Sequence, residues 1–125
     1  LFESADVVSL HIPLSVETKY LVNLDWIEKF QNPIFLINTS RGSIVKTEDL
    51  LASIQRGKVR GACLDVLEFE TENLKMPNLS TLPAAAHRLM QEERVILTPH
   101  TAGLSSESYY KLSSILAEKI VSAIT

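Results

Sequence analysis

Residues 34–43 read Ile34-Phe35-Leu36-Ile37-Asn38-Thr39-Ser40-Arg41-Gly42-Ser43. The apolar run at its start is continuous rather than alternating, as in a strand of a parallel sheet. The strand ends in a polar loop with a glycine. A helical stretch follows, with Thr47 as its expected cap, Glu48 and Asp49 at its positive end and Gly57 as its stop. Leu50, Leu51 and Ile54 would form its buried stripe. Strand, short loop and helix in this order make half of a βαβ unit, and that decides the fold class.

The same grammar extends both ways. Residues 5–12 form an apolar, β-branched run ended by Pro13, expected to be buried on both faces. Asn23 is placed to cap a short helix over 24–30, which Pro33 stops. Residues 61–66 and 95–98 predict a third and a fourth strand. Between them, 67–94 read as an excursion with one or two helical turns over 84–91. Ser105 would cap a long last helix carrying Leu112, Leu116, Ile120 and Ile124 on one face. Alternation with short loops argues for a parallel α/β sheet with helices on its faces.

Composition narrows the function classes. With 125 residues, 46% hydrophobic and 22% charged, the chain has material for one real core. A net charge of -3 gives no basic footprint for nucleic acid. No apolar run approaches the roughly 20 residues of a membrane span, and the start lacks the pattern of a signal peptide. The single cysteine, Cys63, has no partner for an internal disulfide and offers no metal-ligand pair. A cytoplasmic location fits. The chain begins without Met, on what reads as the tail of a helix, as a fragment would.

In an open parallel sheet, ligands bind beyond the carboxyl ends of the strands. That rule selects His11 and Pro13, then Thr39, Ser40 and Arg41, then Asp65, Glu68 and Glu70, then His100, Ala102 and Gly103. Singly, each has an ordinary structural reading. Arg41 is either a solvated loop residue or a fork for a carboxylate. Asp65 is either the cap of a turn or a ligand contact. Glu70 sits in a run of acids with Glu68 and Glu72, which is commonly just a solvated face. His100, fixed behind Pro99, is either structural or, beside a carboxylate, a proton carrier. Spacing alone gives an α/β domain with a cleft suited to acid–base work on an anion, and no particular reaction.

Four blocks together resemble the D-isomer-specific 2-hydroxyacid dehydrogenases. They are ADVVSLHIPL (5–14) with Glu17-Thr18, LINTSRG (36–42) with Val45, GACLDV (61–66) with Glu68 and Glu70, and LTPHTAG (97–103) with Glu107-Ser108. They occur in the family's order and cover nearly all of the chain outside 71–94. The resemblance implies a Rossmann-type NAD-binding domain, of which residues 1–125 would be the C-terminal part. The glycine-rich phosphate loop and the substrate domain would lie upstream. It implies hydride transfer between NAD and C2 of a small D-2-hydroxy or 2-keto acid, in a homodimer, with phosphoglycerate-dehydrogenase-like activity as the first candidate. Neither nucleic acid nor membrane is an implied partner. Family relatives also act as NAD-regulated transcriptional corepressors, and that is the alternative.

Residue by residue, the resemblance implies that Arg41 binds the substrate carboxylate. His100 is the acid in reduction and the base in oxidation, and Glu70 pairs with it. Asp65, with backbone at Ala102 and Gly103, would hold the nicotinamide carboxamide. Thr39 and Ser40 would line the nicotinamide side; His11, Ile12 and Pro13 the adenosine half; Thr18 would lie near the cofactor. Thr71 stands where the family has proline, and 71–94 is longer than in compact members. That stretch is expected to be a surface insertion near the mouth of the site, placed to contact a partner subunit.

Overall fold

The computed structural model describes residues 1–70 and 78–124. Four parallel strands, β1 (Val7–Leu10), β2 (Ile34–Asn38), β3 (Val59–Leu64) and β4 (Val95–Leu97), lie side by side in chain order. The helices are α1 (Leu24–Glu28), α2 (Thr47–Gln55), α3 (Ala84–Met90) and α4 (Ser106–Ile124). Every crossover steps the same way across the sheet. With right-handed connections, that sends α1, α2 and α3 to one face.

The burial pattern follows. The in-register row Val8, Leu36, Ala62 and Val95 points into the helix layer, as does the row Leu10, Asn38, Leu64 and Leu97. Val7, Phe35, Cys63 and Ile96 face the other way and are exposed. The expectation of strands buried on both faces is therefore corrected. Among the described residues one face is covered, because all three crossovers between strands share a side.

Local details also differ. Asn23 does cap α1, its Oδ1 accepting the Trp26 amide at 3.0 Å. The helix closes at Glu28 rather than at 30, and Phe30 is buried among Phe2 and Trp26 in edge-on contacts. Thr47 is the first residue of α2 rather than its cap, and Lys46 occupies the cap position with no side-chain capping bond. Thr47 itself is buried, and a carboxylate from elsewhere in the chain takes its amide, as described below. Gly57 ends α2 at φ +77, a conformation suited to glycine.

Thr71, Glu72 and the rest of 71–77 lie outside the described residues. The remainder of the expected insertion is not an appendage. α3 packs on α2 and β4, with Ala86 and Leu89 buried, so it is the covering helix of the β3-to-β4 crossover. Its periodicity is too brief to show that in the sequence. α4 starts where expected, the Ser105 hydroxyl accepting the Ser108 amide. Its stripe of Leu112, Leu116, Ile120 and Ile124 is exposed.

Candidate active site

The parallel sheet delivers four loops to its carboxyl edge. After β1, the loop is shaped by Thr18, whose hydroxyl donates to the Pro13 carbonyl at 2.7 Å and accepts the Ser15 amide at 2.7 Å. Thr18 thus acts inside its own loop. His11 Nε2 lies 2.8 Å from Ser9 Oγ.

After β2, the fully buried Asn38 folds the turn. Its Oδ1 accepts the Ser40 amide and its Nδ2 donates to the Arg41 carbonyl, both at 3.0 Å. The Ser40 hydroxyl donates to the Ile12 carbonyl, joining this loop to the previous one. The Arg41 side chain is exposed, with one guanidinium nitrogen on the Ser40 carbonyl at 2.7 Å. His11, Ile12, Pro13, Leu14, Thr39, Ser40 and Arg41 line a cleft of about 490 Å³.

After β3, the buried Asp65 accepts the Thr101 amide at 2.8 Å, the Ala102 amide at 2.9 Å and the Thr98 hydroxyl. Burial pushes its carboxyl up. The Thr98, Ala102 and Thr101 hydrogen bonds and the nearby His100 together outweigh burial and hold it below the ordinary aspartate range. Asp65 thereby pins the loop after β4, and the Ala102 amide is already committed to it. A second cleft of about 250 Å³ is lined by Thr39, Cys63, Leu64, Asp65, Ile96, Thr98, Thr101 and Ala102. Thr39 borders both clefts, so they adjoin along the strand ends.

Within that pinned loop His100 takes a left-handed backbone, φ +55, which stores strain of roughly 1–3 kcal/mol. Its Nδ1 lies 2.9 Å from Glu70 Oε2, and both side chains are largely buried. The other oxygen, Glu70 Oε1, accepts the Leu67 amide at 2.8 Å, which fixes the carboxylate plane. With Nδ1 engaged, Nε2 is the ring nitrogen left to exchange a proton.

The structure brings Glu70 and His100 into contact. It gathers His11, Ile12, Pro13, Thr39, Ser40 and Arg41 on one cleft and Thr39, Asp65 and Ala102 on its neighbour. Gly103 lines neither of these clefts and Thr18 is set back behind Pro13. Asn38, Thr98 and Thr101 carry no role in the sequence reading. For Asn38 and Thr98 the available signal is a polar residue ending an apolar run.

Comparison with known proteins places the chain by family and fold. Residues 1–102 match the family model described as D-isomer specific 2-hydroxyacid dehydrogenase, NAD binding domain. A glyoxylate reductase of Thermofilum pendens is 36% identical over 124 residues, covering 99% of this chain and 33% of the relative. A D-lactate dehydrogenase of Treponema pallidum is 37% identical over 107 residues, 82% of this chain and 31% of the relative. Among solved structures, the NAD-complexed D-isomer specific 2-hydroxyacid dehydrogenase of Lactobacillus delbrueckii ssp. bulgaricus superposes with a TM-score of 0.75 at 30% identity. That alignment covers 95% of this chain and 37% of that one. The chain thus spans about a third of the length of the curated relatives it matches. The family model matches residues 1–102, most of the chain, and the chain belongs to the D-isomer-specific 2-hydroxyacid dehydrogenase family.

Proposed function

We propose that this chain forms the C-terminal part of the NAD-binding domain of an oxidoreductase acting on small D-2-hydroxy and 2-keto acids. The observation that carries the reading is the Glu70–His100 pair at 2.9 Å, its histidine in the loop that Asp65 holds.

The smaller of the two clefts suits one half of a dinucleotide. Its floor at Leu64 and Ile96 is apolar, as a flat aromatic ring requires, and Thr39 and Thr98 give it polar edges. NAD(H), when bound, supplies or accepts the hydride at the substrate's C2. The protein's share is position and the proton. Arg41 presents a planar fork to the substrate carboxylate and so orients the neighbouring carbonyl. In reduction, His100 gives the proton on Nε2 to the carbonyl oxygen while C2 receives the hydride, leaving the 2-hydroxy acid. In oxidation the same nitrogen takes that proton back. Glu70, anchored through Leu67, holds Nδ1 and so fixes the orientation of the ring. A carboxamide N–H donating to Asp65 would use lone-pair capacity beyond the three donors it already accepts.

The test is NADH oxidation by the protein carrying this chain, with glyoxylate, pyruvate and 3-phosphohydroxypyruvate offered in turn. Turnover of at least one is expected. A protein that binds NADH yet reduces none of them would overturn the reading.

A further inference from the structure

The loop that presents Arg41 and the turn that presents Glu70 are in direct contact. Gly42 rests on the Leu67 peptide so closely that a Cβ there would lie 1.9 Å from the Leu67 carbonyl oxygen. One residue further on each side, the Ser43 hydroxyl donates to the Glu68 carbonyl at 3.2 Å. The Glu68 side chain then turns away from His100. Its Oε2 accepts the Thr47 amide at 2.8 Å, at the start of α2. This is a capping bond delivered from another part of the chain, at a helix end whose own cap residue, Lys46, makes none.

A third segment closes the group. Tyr20 has φ +55, and its amide donates to the Ser43 carbonyl at 2.9 Å. Val22 and Val45 form a parallel bridge beside it. The Glu68 side chain also bears on Tyr20: interaction with it, then burial, then the nearby charge raise the phenol's pKa. Two carboxylates two residues apart therefore face opposite ways. Glu70 engages His100, and Glu68 engages the segment that continues from Arg41.

We propose that Glu68 is a positioning residue, its carboxylate clamping Thr47 and Tyr20 so that the Arg41 loop keeps a fixed relation to the Glu70–His100 pair. The assignment rests on the function proposed above. Glu68 has no contact with substrate in this scheme; it acts through Arg41.

Hydrogen exchange in this chain and steady-state kinetics in the protein that carries it test the clamp together. Glu68→Ala is expected to speed exchange of the Thr47 amide about tenfold and to raise KM for the 2-keto acid about tenfold. KM for NADH should stay within about twofold, since the carboxylate fork alone is displaced. Glu68→Gln, which keeps an acceptor of the same shape, should restore both. A purely structural role would lower kcat and both KM-dependent rates together with the folded fraction, without a selective keto-acid effect. Unchanged Thr47 exchange, or faster exchange with an unchanged keto-acid KM, overturns the clamp. Should Glu68→Ala fail to fold, Tyr20→Phe decides, since it leaves the Thr47 bond in place. It is expected to raise keto-acid KM roughly threefold, and no rise counts against the clamp. A wild-type protein inert toward 2-keto acids would sink the proposed function instead, and Thr47 exchange would still show whether the clamp bond holds.

Discussion

Asp65 Oδ2 accepts the Ala102 amide at 2.9 Å, so the end of β3 holds the residue two positions beyond His100. With Oδ1 on Thr101 and Thr98, one buried carboxylate organises the whole turn. Its folded pKa is held below the ordinary value, so it stabilises the fold above the unfolded aspartate range of about 4, and that contribution is lost as pH falls through the depressed value. Asp65→Asn replaces one acceptor by a donor facing amides. It should cost about 1–3 kcal/mol at neutral pH and flatten the acid limb of stability against pH. Urea denaturation from acid to neutral pH measures both. Parallel curves for the two proteins would mean that Asp65 does not govern acid stability.

Gly42→Ala tests the contact between the Arg41 loop and the Glu70 turn. The added carbon would meet backbone at 1.9 and 2.0 Å, and no side chain can move aside to admit it. The loops must separate, at a cost of about 2 kcal/mol or more. Gly57→Ala is the control: its φ of +77 is unfavourable for alanine, but the space there is open, so about 1 kcal/mol is expected. Thermal midpoints of the two variants should rank in that order, and the reverse ranking would contradict the close approach.

Glu70→Gln keeps the shape and the bond from the Leu67 amide but removes the anion beside His100. Reduction by the protein carrying this chain should lose on the order of a hundredfold in kcat, the usual scale of general acid–base assistance. Binding of NADH, measured by titration, should hardly change. Glu68 cannot substitute, since its carboxylate is committed to the Thr47 amide. An unchanged kcat, with chemistry shown to limit the rate, would remove Glu70 from the mechanism.

Arg41→Ala removes the fork proposed to bind the substrate carboxylate. Loss of a charge-assisted bidentate contact predicts a fall in kcat/KM of on the order of a hundredfold or more, with NADH affinity retained. The side chain is exposed and bonds only a neighbouring carbonyl in the hydrogen bonds described, so stability should be unaffected. A variant that is equally stable and equally active would show that the fork does not bind substrate.

These residues show where sequence is legible and where it is not. The strand order and the strand ends follow from continuous apolar runs and their polar stops, and so do the positions of Arg41, Asp65 and His100. The clamp does not, because Glu68 and Thr47 are 21 positions apart and nothing local marks an amide that another loop will take. Thr47 reads as a cap by composition, yet the backbone places it one residue inside the helix. Asp65 reads equally as ligand or turn cap until its three donors are seen. Exposure of one sheet face was also hidden: Phe35 sits in an apolar run identical in character to its buried neighbours, and only the side taken by the crossovers separates them.

That exposed face leads to a last prediction, for the 125-residue chain in isolation. Val7 and Phe35 are cross-strand partners, 57% and 45% exposed, and Ile96 nearby is 63% exposed. The α4 stripe of Leu112, Leu116 and Ile120 adds a second apolar surface. Such patches on a small chain, with β1 and β4 as open edges, favour association. Sedimentation should show oligomers at micromolar concentration, and replacing Val7 and Ile96 by lysine should shift them toward monomer without lowering the thermal midpoint. NAD affinity should be weak in either form. The dinucleotide pyrophosphate rests on a glycine-rich turn at a helix N-terminus, and the four glycines of these residues, at 42, 57, 61 and 103, form no such turn. A monomeric chain that binds NAD at micromolar concentration would show that the exposed face does not drive association and that the clefts alone suffice for the cofactor.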